Sequence, residues 1–213
     1  MKYVNNHIKV VLFDHDDTLV GTIGSKWDEH KFIAKKYYNK TITDNDIKAH
    51  WGKPFAEMIC LLYDTDDAEQ AIDYNLKHHT EFEKTLFSAT VPVLRHLKER
   101  GMKLGIITAT TRISFEHDLE LHEIPKDLLS YTQTSEETQF HKPDPRVFEP
   151  VLKWLDEEEI SSDEVLYIGD GLHDMKAAVG AGFNFLGVQT GLVSAEEFAS
   201  VNAQSITSIS DML

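Results

Sequence analysis

Residues 8–18 read IKVVLFDHDDT, an apolar run over 8–13 that stops abruptly at Asp14-His15-Asp16-Asp17-Thr18. The run is close to continuous in large aliphatic and aromatic residues instead of alternating with polar ones. That is the pattern of a strand buried on both faces, as in a parallel sheet. Three further runs share it: Lys103–Ile107 (KLGII), residues 165–168 (VLYI) and residues 183–188 (FNFLGV). Amphipathic stretches lie between them. Residues 91–100, VPVLRHLKER, carry Val91, Leu94 and Leu97 at helical spacing, and Gly101 follows as a C-cap. The order strand, helix, strand, helix implies an α/β fold with a doubly wound, mainly parallel, Rossmann-like sheet.

Residues 22–86 break this rhythm, with no strong strand run. They read as helices over 27–38, 43–50, Phe55–Tyr63 and 68–86, with Asp44 and Asp66 as N-caps. The expected organisation is therefore a core domain of residues 1–21 and 87–213, interrupted by an inserted α-helical domain of residues 22–86.

The 213 residues include 21 Lys and Arg against 36 Asp and Glu, a formal net charge of −15. Such a surface repels phosphate backbones and anionic membranes, so neither nucleic acid nor membrane is expected as a partner. Hydrophobic residues at 41% and charged residues at 27% suit a folded globular chain. The one cysteine, Cys60, leaves no internal disulfide and no cysteine-rich zinc site. The apolar run at the start is too short for a signal peptide or a membrane span. A cytoplasmic location is the expectation, as a monomer or weak homodimer.

The strand ends carry the chemistry. The first run ends in Asp14 and Asp16, the second in Thr108, and the third in Gly169-Asp170-Gly171 with Asp174 four residues on. In an open parallel sheet the carboxyl ends of the strands share one edge, and ligands bind in the crevice there. Asp14, Asp16, Asp170 and Asp174 brought together would repel one another unless some are protonated or a cation lies among them. With only oxygen ligands on offer the ion is a hard one, and Mg²⁺ is the natural choice. Any one of these aspartates alone reads as a turn residue or helix cap, Asp174 in particular. The set on successive strand ends does not.

Taken together, VVLFDHDDTLV, Ile106-Ile107-Thr108, His141-Lys142-Pro143-Asp144-Pro145 and Tyr167-Ile168-Gly169-Asp170-Gly171-Leu172-His173-Asp174 resemble, in order, the four motifs of the haloacid dehalogenase-like (HAD) phosphohydrolase superfamily. The helical segment after the first motif resembles the cap of its phosphoglycolate phosphatase-like and β-phosphoglucomutase-like members. The resemblance implies a Mg²⁺-dependent phosphatase acting on a small phosphorylated metabolite. Asp14 would attack phosphorus and form an aspartyl-phosphate. Asp16 would protonate the leaving group and then deprotonate the hydrolytic water. Thr108 and Lys142 would hold the phosphoryl oxygens. The metal site would comprise Asp14, the backbone carbonyl of Asp16, Asp170 and Asp174, the last bound directly or through water. Gly169 and Gly171 would let the backbone approach closely.

Some positions depart from the pattern or stay ambiguous. Asp17 stands where many members have glycine, and Ala109 where many have asparagine, followed by Thr110, Thr111 and Arg112. Arg112 fits a substrate anion or a surface ion pair equally well, and His15 reads as a packing residue. Asp144 and Pro145 should start a helix that Pro150 kinks. In the cap, Lys53 of the Trp51–Phe55 loop is the candidate for substrate specificity, although an ordinary loop lysine is the plainer reading. Trp27, Tyr37, Tyr38 and Tyr63 read as cap core, and His78 and His79 as solvated. A phosphomutase of the β-phosphoglucomutase type is the alternative. A non-catalytic binding protein would be expected to lack at least one motif residue, and a dehalogenase would not need Asp16 or the metal carboxylates.

Overall fold

The structure, a computed structural model, describes residues 3–213. The chain forms two compact units, one of residues up to Gly21 together with Leu86–Leu213, the other Thr22–Thr85.

The first unit is built on a six-stranded sheet in which every pairing is parallel. Its strands are β1 (Val10–Phe13), β4 (Lys103–Ile107), β5 (Tyr131–Gln133), β6 (Val165–Gly169), β7 (Asn184–Val188) and β8 (Ser205–Ile206). They lie in the order β5-β4-β1-β6-β7-β8, while β2 (Val20–Gly21) and β3 (Thr85–Leu86) form a separate two-stranded sheet. The chain therefore winds outward in both directions from β1, which makes the carboxyl end of β1 the crevice-forming position. Successive side chains of β1 feed opposite faces. Val11 and Phe13 join a cluster with Leu94, Leu97, Phe115 and Leu119, from α5 (Thr90–Glu99) and α6 (Arg112–Leu121). Val10 and Leu12 join one with Phe148, Val151, Leu155, Ala177 and Ala178, mostly from α7 (Glu149–Glu157) and α8 (Leu172–Gly180). Burial on both faces is why the run has no polar alternation.

The expected strands and the helix after the first domain crossing appear within a residue or two. Gly101 takes φ +82° after α5, a conformation that suits glycine at a helix C-terminus. The short edge strands β5 and β8 were not expected. They are three and two residues long and only partly buried, so they carry little apolar signal. Pro150 produces no kink. Asp144 accepts a hydrogen bond from the Arg146 backbone N–H at 3.0 Å and caps a 3₁₀ turn over Pro145–Phe148. A new helix, α7, then starts at Glu149, which puts Pro150 in a first turn where its missing N–H costs nothing.

The second unit holds α1 (Ile23–Tyr38), α2 (Asp44–Lys48), α3 (Phe55–Tyr63) and α4 (Ala68–His78), around a core that includes Trp27, Ile33, Ile47, Ile59, Leu62 and Tyr63. Tyr37 and Tyr38 are only half-buried at its margin. Three local expectations are corrected. Thr43, not Asp44, caps α2, in a reciprocal capping box with Asp46. Asp67, not Asp66, caps α4 by accepting from Gln70 N–H at 2.9 Å. The helix expected over 68–86 ends at His78, because the His79 ring takes the terminal Leu76 carbonyl at 2.6 Å and the chain passes through a 3₁₀ turn into β3. His78 is buried, with its ring 2.7 Å from the Tyr37 hydroxyl and 2.8 Å from Glu81. Among the described residues, no helix is long and apolar enough to cross a membrane.

His30 lies inside this unit, its Nδ1 2.8 Å from the Tyr63 hydroxyl, which in turn donates to Asn75 at 3.3 Å. Burial, aided by the Lys26 charge, lowers the His30 pKa from 6.5 to about 4. Because the folded pKa lies below the unfolded one, the contribution of His30 to stability is complete above about pH 6.5 and is lost as pH falls toward 4. Wild-type protein should lose about 3 kcal/mol more unfolding free energy than His30→Gln over that interval. Urea unfolding followed by tryptophan fluorescence at a series of pH values measures the difference, and parallel curves would refute it.

Candidate active site

Strand register brings the predicted residues to one edge. Phe13 lies opposite Ile106 of β4 and Ile168 of β6, so the next residues, Asp14, Ile107 and Gly169, stand level at the carboxyl edge of the sheet. The Asp14 N–H still donates to the Ile168 carbonyl at 2.8 Å, and the Thr108 N–H to Gln133 at 2.9 Å. Asp170 follows β6 directly, and Asp174 occupies the first turn of α8, where it accepts from the Gly171 N–H at 3.0 Å. It is a helix-terminus residue and a site residue at once.

Carboxylate oxygens of Asp14, Asp170 and Asp174 all lie within 4.8 Å of one another. The Lys142 Nζ sits 2.5 Å from Asp14 and 2.7 Å from Asp174, its side chain only 7% exposed. The fully buried Tyr167 ring lies beneath that ammonium at 5.1 Å, with its hydroxyl bonded to the Ile107 carbonyl at 3.3 Å. Burial raises the Asp14 pKa to about 7 against the pull of Lys142, with Asp174 and Asp16 adding to the rise. Burial and the neighbouring Asp174 and Asp14 push Asp170 well above its usual range. Burial would raise Asp174 too, but Lys142, His173 and the Gly171 N–H hold it below the ordinary carboxylate value. Lys142 stays firmly protonated: burial opposes its charge, and the charges of Asp14 and Asp174 more than compensate.

The Asp16 carboxylate does not join the three gathered carboxylates. Its Oδ2 accepts a hydrogen bond from the Thr110 hydroxyl at 2.7 Å. Asp17 adopts φ +54°, the left-handed turn that glycine would take without strain, and its carbonyl accepts from the Thr190 hydroxyl. His15 is wholly buried, bonded to Asp118 of α6 at 2.9 Å and edge-on to Phe115. Thr108 is buried, and its oxygen accepts from the Thr110 N–H at 3.0 Å. Arg112 is engaged by Glu137 and by Thr132, so the ion-pair reading of this residue holds. In the second unit, Lys53 is exposed and pairs with Glu57 one helical turn on, at 2.5 Å.

Close backbone approach shapes the carboxylate pocket. A Cβ on Gly169 would lie 2.6 Å from the Asp174 carboxyl carbon, as expected for that glycine. Gly191, in the loop after β7, was not anticipated, yet a Cβ there would fall 1.8 Å from Asp170 Oδ2. Its position beyond the end of the fourth apolar run was the available signal. Thr110 and Tyr167 were likewise not singled out, the first because two threonines stand side by side, the second because it reads as strand core.

The sequence profile of haloacid dehalogenase-like hydrolases matches residues 11–188, which contain Asp14, Asp16, Thr108, Lys142, Asp170 and Asp174. The chain belongs to that family. It is thus an enzyme of a hydrolase family. A Clostridium perfringens protein bearing the provisional name pyrophosphatase PpaX is 31% identical over 92% of this chain and 90% of its own. The crystal structure of a provisionally assigned haloacid dehalogenase-like hydrolase from Bacteroides fragilis has a TM-score of 0.81 at 30% identity, covering 97% of this chain and 100% of that one. A provisionally assigned β-phosphoglucomutase from Thermotoga maritima shares the fold, with a TM-score of 0.78 at 19% identity over 97% of each chain.

An all-oxygen set in a glycine-walled pocket fits a hard divalent cation, with Asp14, Asp170 and Asp174 as the side chains able to hold one. Gly191→Ala should swing Asp170 out of that set. Its apparent Mg²⁺ affinity, by calorimetric titration, should fall roughly tenfold or more, with a melting temperature within a few degrees of wild type. Unchanged affinity would show that Asp170 keeps its place without the glycine.

Proposed function

We propose that the protein is a Mg²⁺-dependent phosphatase that cleaves a small phosphorylated substrate through an aspartyl-phosphate on Asp14. The observation that carries this reading is the grouping of Asp14, Asp170 and Asp174 at the carboxyl edge of the sheet, with the Lys142 ammonium paired to Asp14 and Asp174. A carboxylate nucleophile needs no base, and a lysine beside it offsets the charge of an incoming phosphoryl group. The relative named for pyrophosphatase activity favours pyrophosphate as a substrate, in which the leaving group is itself a phosphate.

Asp14 attacks phosphorus while the bond to the leaving oxygen breaks, and Asp16 supplies the proton that oxygen needs. A water that gives its proton back to Asp16 then attacks the aspartyl-phosphate, releasing phosphate and restoring Asp14. Lys142 and the Thr108 hydroxyl hold the phosphoryl oxygens. The Thr108 oxygen already accepts from Thr110 N–H, so its own hydrogen is left to donate. A bound Mg²⁺, held by Asp14, Asp170, Asp174 and the Asp16 carbonyl, would supply charge neutralisation at the phosphoryl group. The helical unit Thr22–Thr85 is proposed as the cap that selects the substrate, since the sheet unit offers only groups that read the phosphoryl common to all of them.

The test is phosphate release from pyrophosphate, phosphoglycolate and a panel of sugar phosphates. Activity should vanish on chelation and return with Mg²⁺, and Asp14→Asn should lose at least about a thousandfold in kcat. Activity that survives exhaustive chelation, or a well-purified active Asp14→Asn, would defeat the proposal. Phosphorus NMR with a hexose 1-phosphate should show free phosphate; conversion to the 6-phosphate would move the protein to the mutase class.

Lys53→Ala should change kcat/KM ratios across the same panel by about tenfold for the substrates with a second anionic group, the size of one lost charged contact. Ratios that all stay constant would remove Lys53 from substrate recognition.

A further inference from the structure

The turn between β4 and α6 contains two adjacent threonines with different tasks. Thr111 is the helix cap: its side chain accepts from the Ser114 N–H, and its own φ and ψ are extended. Thr110 has no part in the cap. Its N–H is tied to the Thr108 hydroxyl at 3.0 Å, and its carbonyl accepts from the Ser135 N–H at 3.1 Å. With both backbone groups fixed, its hydroxyl is delivered to Asp16 Oδ2 at 2.7 Å.

The geometry points to Thr110 as the positioning residue of Asp16, fixing one carboxyl oxygen so that the other carries the proton to and from the reacting oxygens. This role depends on Asp16 as acid and base in the proposed reaction. The half-buried Asp16 side chain, just ahead of the left-handed Asp17, has the rotation of its carboxyl restricted by that bond. With the proton carried on Oδ1, Oδ2 accepts from the Thr110 hydroxyl in both protonation states of Asp16, so the same bond persists when the proton leaves and when it returns. Thr110 thus holds Asp16 in one orientation through both half-reactions, and a proton transfer whose distance is fixed gains accordingly.

The consequence is specific to leaving groups that need a proton. The values of kcat/KM for a series of phosphate monoesters, from 2,4-dinitrophenyl phosphate to an alkyl phosphate, report the first half-reaction alone. In the presence of Mg²⁺, Thr110→Val should lose about 10- to 100-fold on the alkyl ester and less than about threefold on the dinitrophenyl ester. Thr110→Ser, which keeps the hydroxyl, should stay within about threefold of wild type throughout. Thr110→Ala provides the same deletion should the valine variant fold poorly, judged by thermal unfolding. A loss for Thr110→Val or Thr110→Ala that is uniform along the series, or no loss, would overturn the role. Asp16→Asn in the same series separates the two levels. If it shows the steep dependence and the Thr110 deletions do not, the positioning role alone fails. If its own loss is uniform, the assignment of Asp16 as acid fails, and the role of Thr110 with it.

Discussion

The ammonium of Lys142, within 2.7 Å of both Asp14 and Asp174 and almost out of contact with solvent, is the charge that lets this edge of the sheet exist. Carboxylates from the ends of β1 and α8 cannot be buried side by side without a cation, because the loss of hydration and their mutual repulsion add. Lys142 supplies that charge from a loop far along the chain. Tyr167 supports it from below with the face of its ring, and the tyrosine hydroxyl is in turn bonded to the end of β4. Glycines 169 and 191 complete the arrangement by omission, since a side-chain carbon at either place would collide with a carboxylate. The strongly raised Asp170 is the remaining imbalance, and it is what a bound divalent cation would relieve.

A second set of contacts fixes the loop after β1. His15 is drawn into the core by Asp118 and Phe115, both on α6, so the residue between Asp14 and Asp16 anchors the backbone of both. Thr190 takes the Asp17 carbonyl from the far side, and Thr110 holds the Asp16 carboxyl from the β4–α6 turn. The two aspartates thus face different partners despite standing two residues apart, Asp14 toward Lys142 and Asp16 toward Thr110. That divergence suits the two roles proposed for them, nucleophile and proton carrier.

Much of this was legible in the chain itself. The central strands β1, β4 and β6 show as apolar runs because both of their faces are buried, and each run ends where the chain leaves the sheet at its carboxyl edge. Asp14, Thr108 and Asp170 stand next to those ends, so their arrival at one edge follows from the parallel sheet, whereas Lys142 reaches it from a loop, Asp174 from the first turn of α8, and the Asp16 carboxyl turns to Thr110. The edge strands β5 and β8 were hidden because a short, half-exposed strand has no distinctive pattern. The N-caps of α2 and α4 each moved by one residue because neighbouring polar residues compete for the same N–H groups, and only backbone geometry chooses between them. Pro150 reads as a kink only so long as its helix is taken to begin at Asp144.

Residue type and order determined which chemical groups reach the edge of the sheet. Tertiary structure alone decided which of them touch. His78 is buried, not solvated, because Tyr37 comes back to it from α1, across 41 residues of chain. Arg112 is committed to Glu137 and Thr132, Thr110 and not Thr111 meets Asp16, and Gly191 gives way to Asp170. Each of these is a contact between segments far apart in sequence, set to within an ångström by strand register and close packing. Periodicity places a side chain on a face, but the partner on that face is chosen only when the whole sheet has assembled.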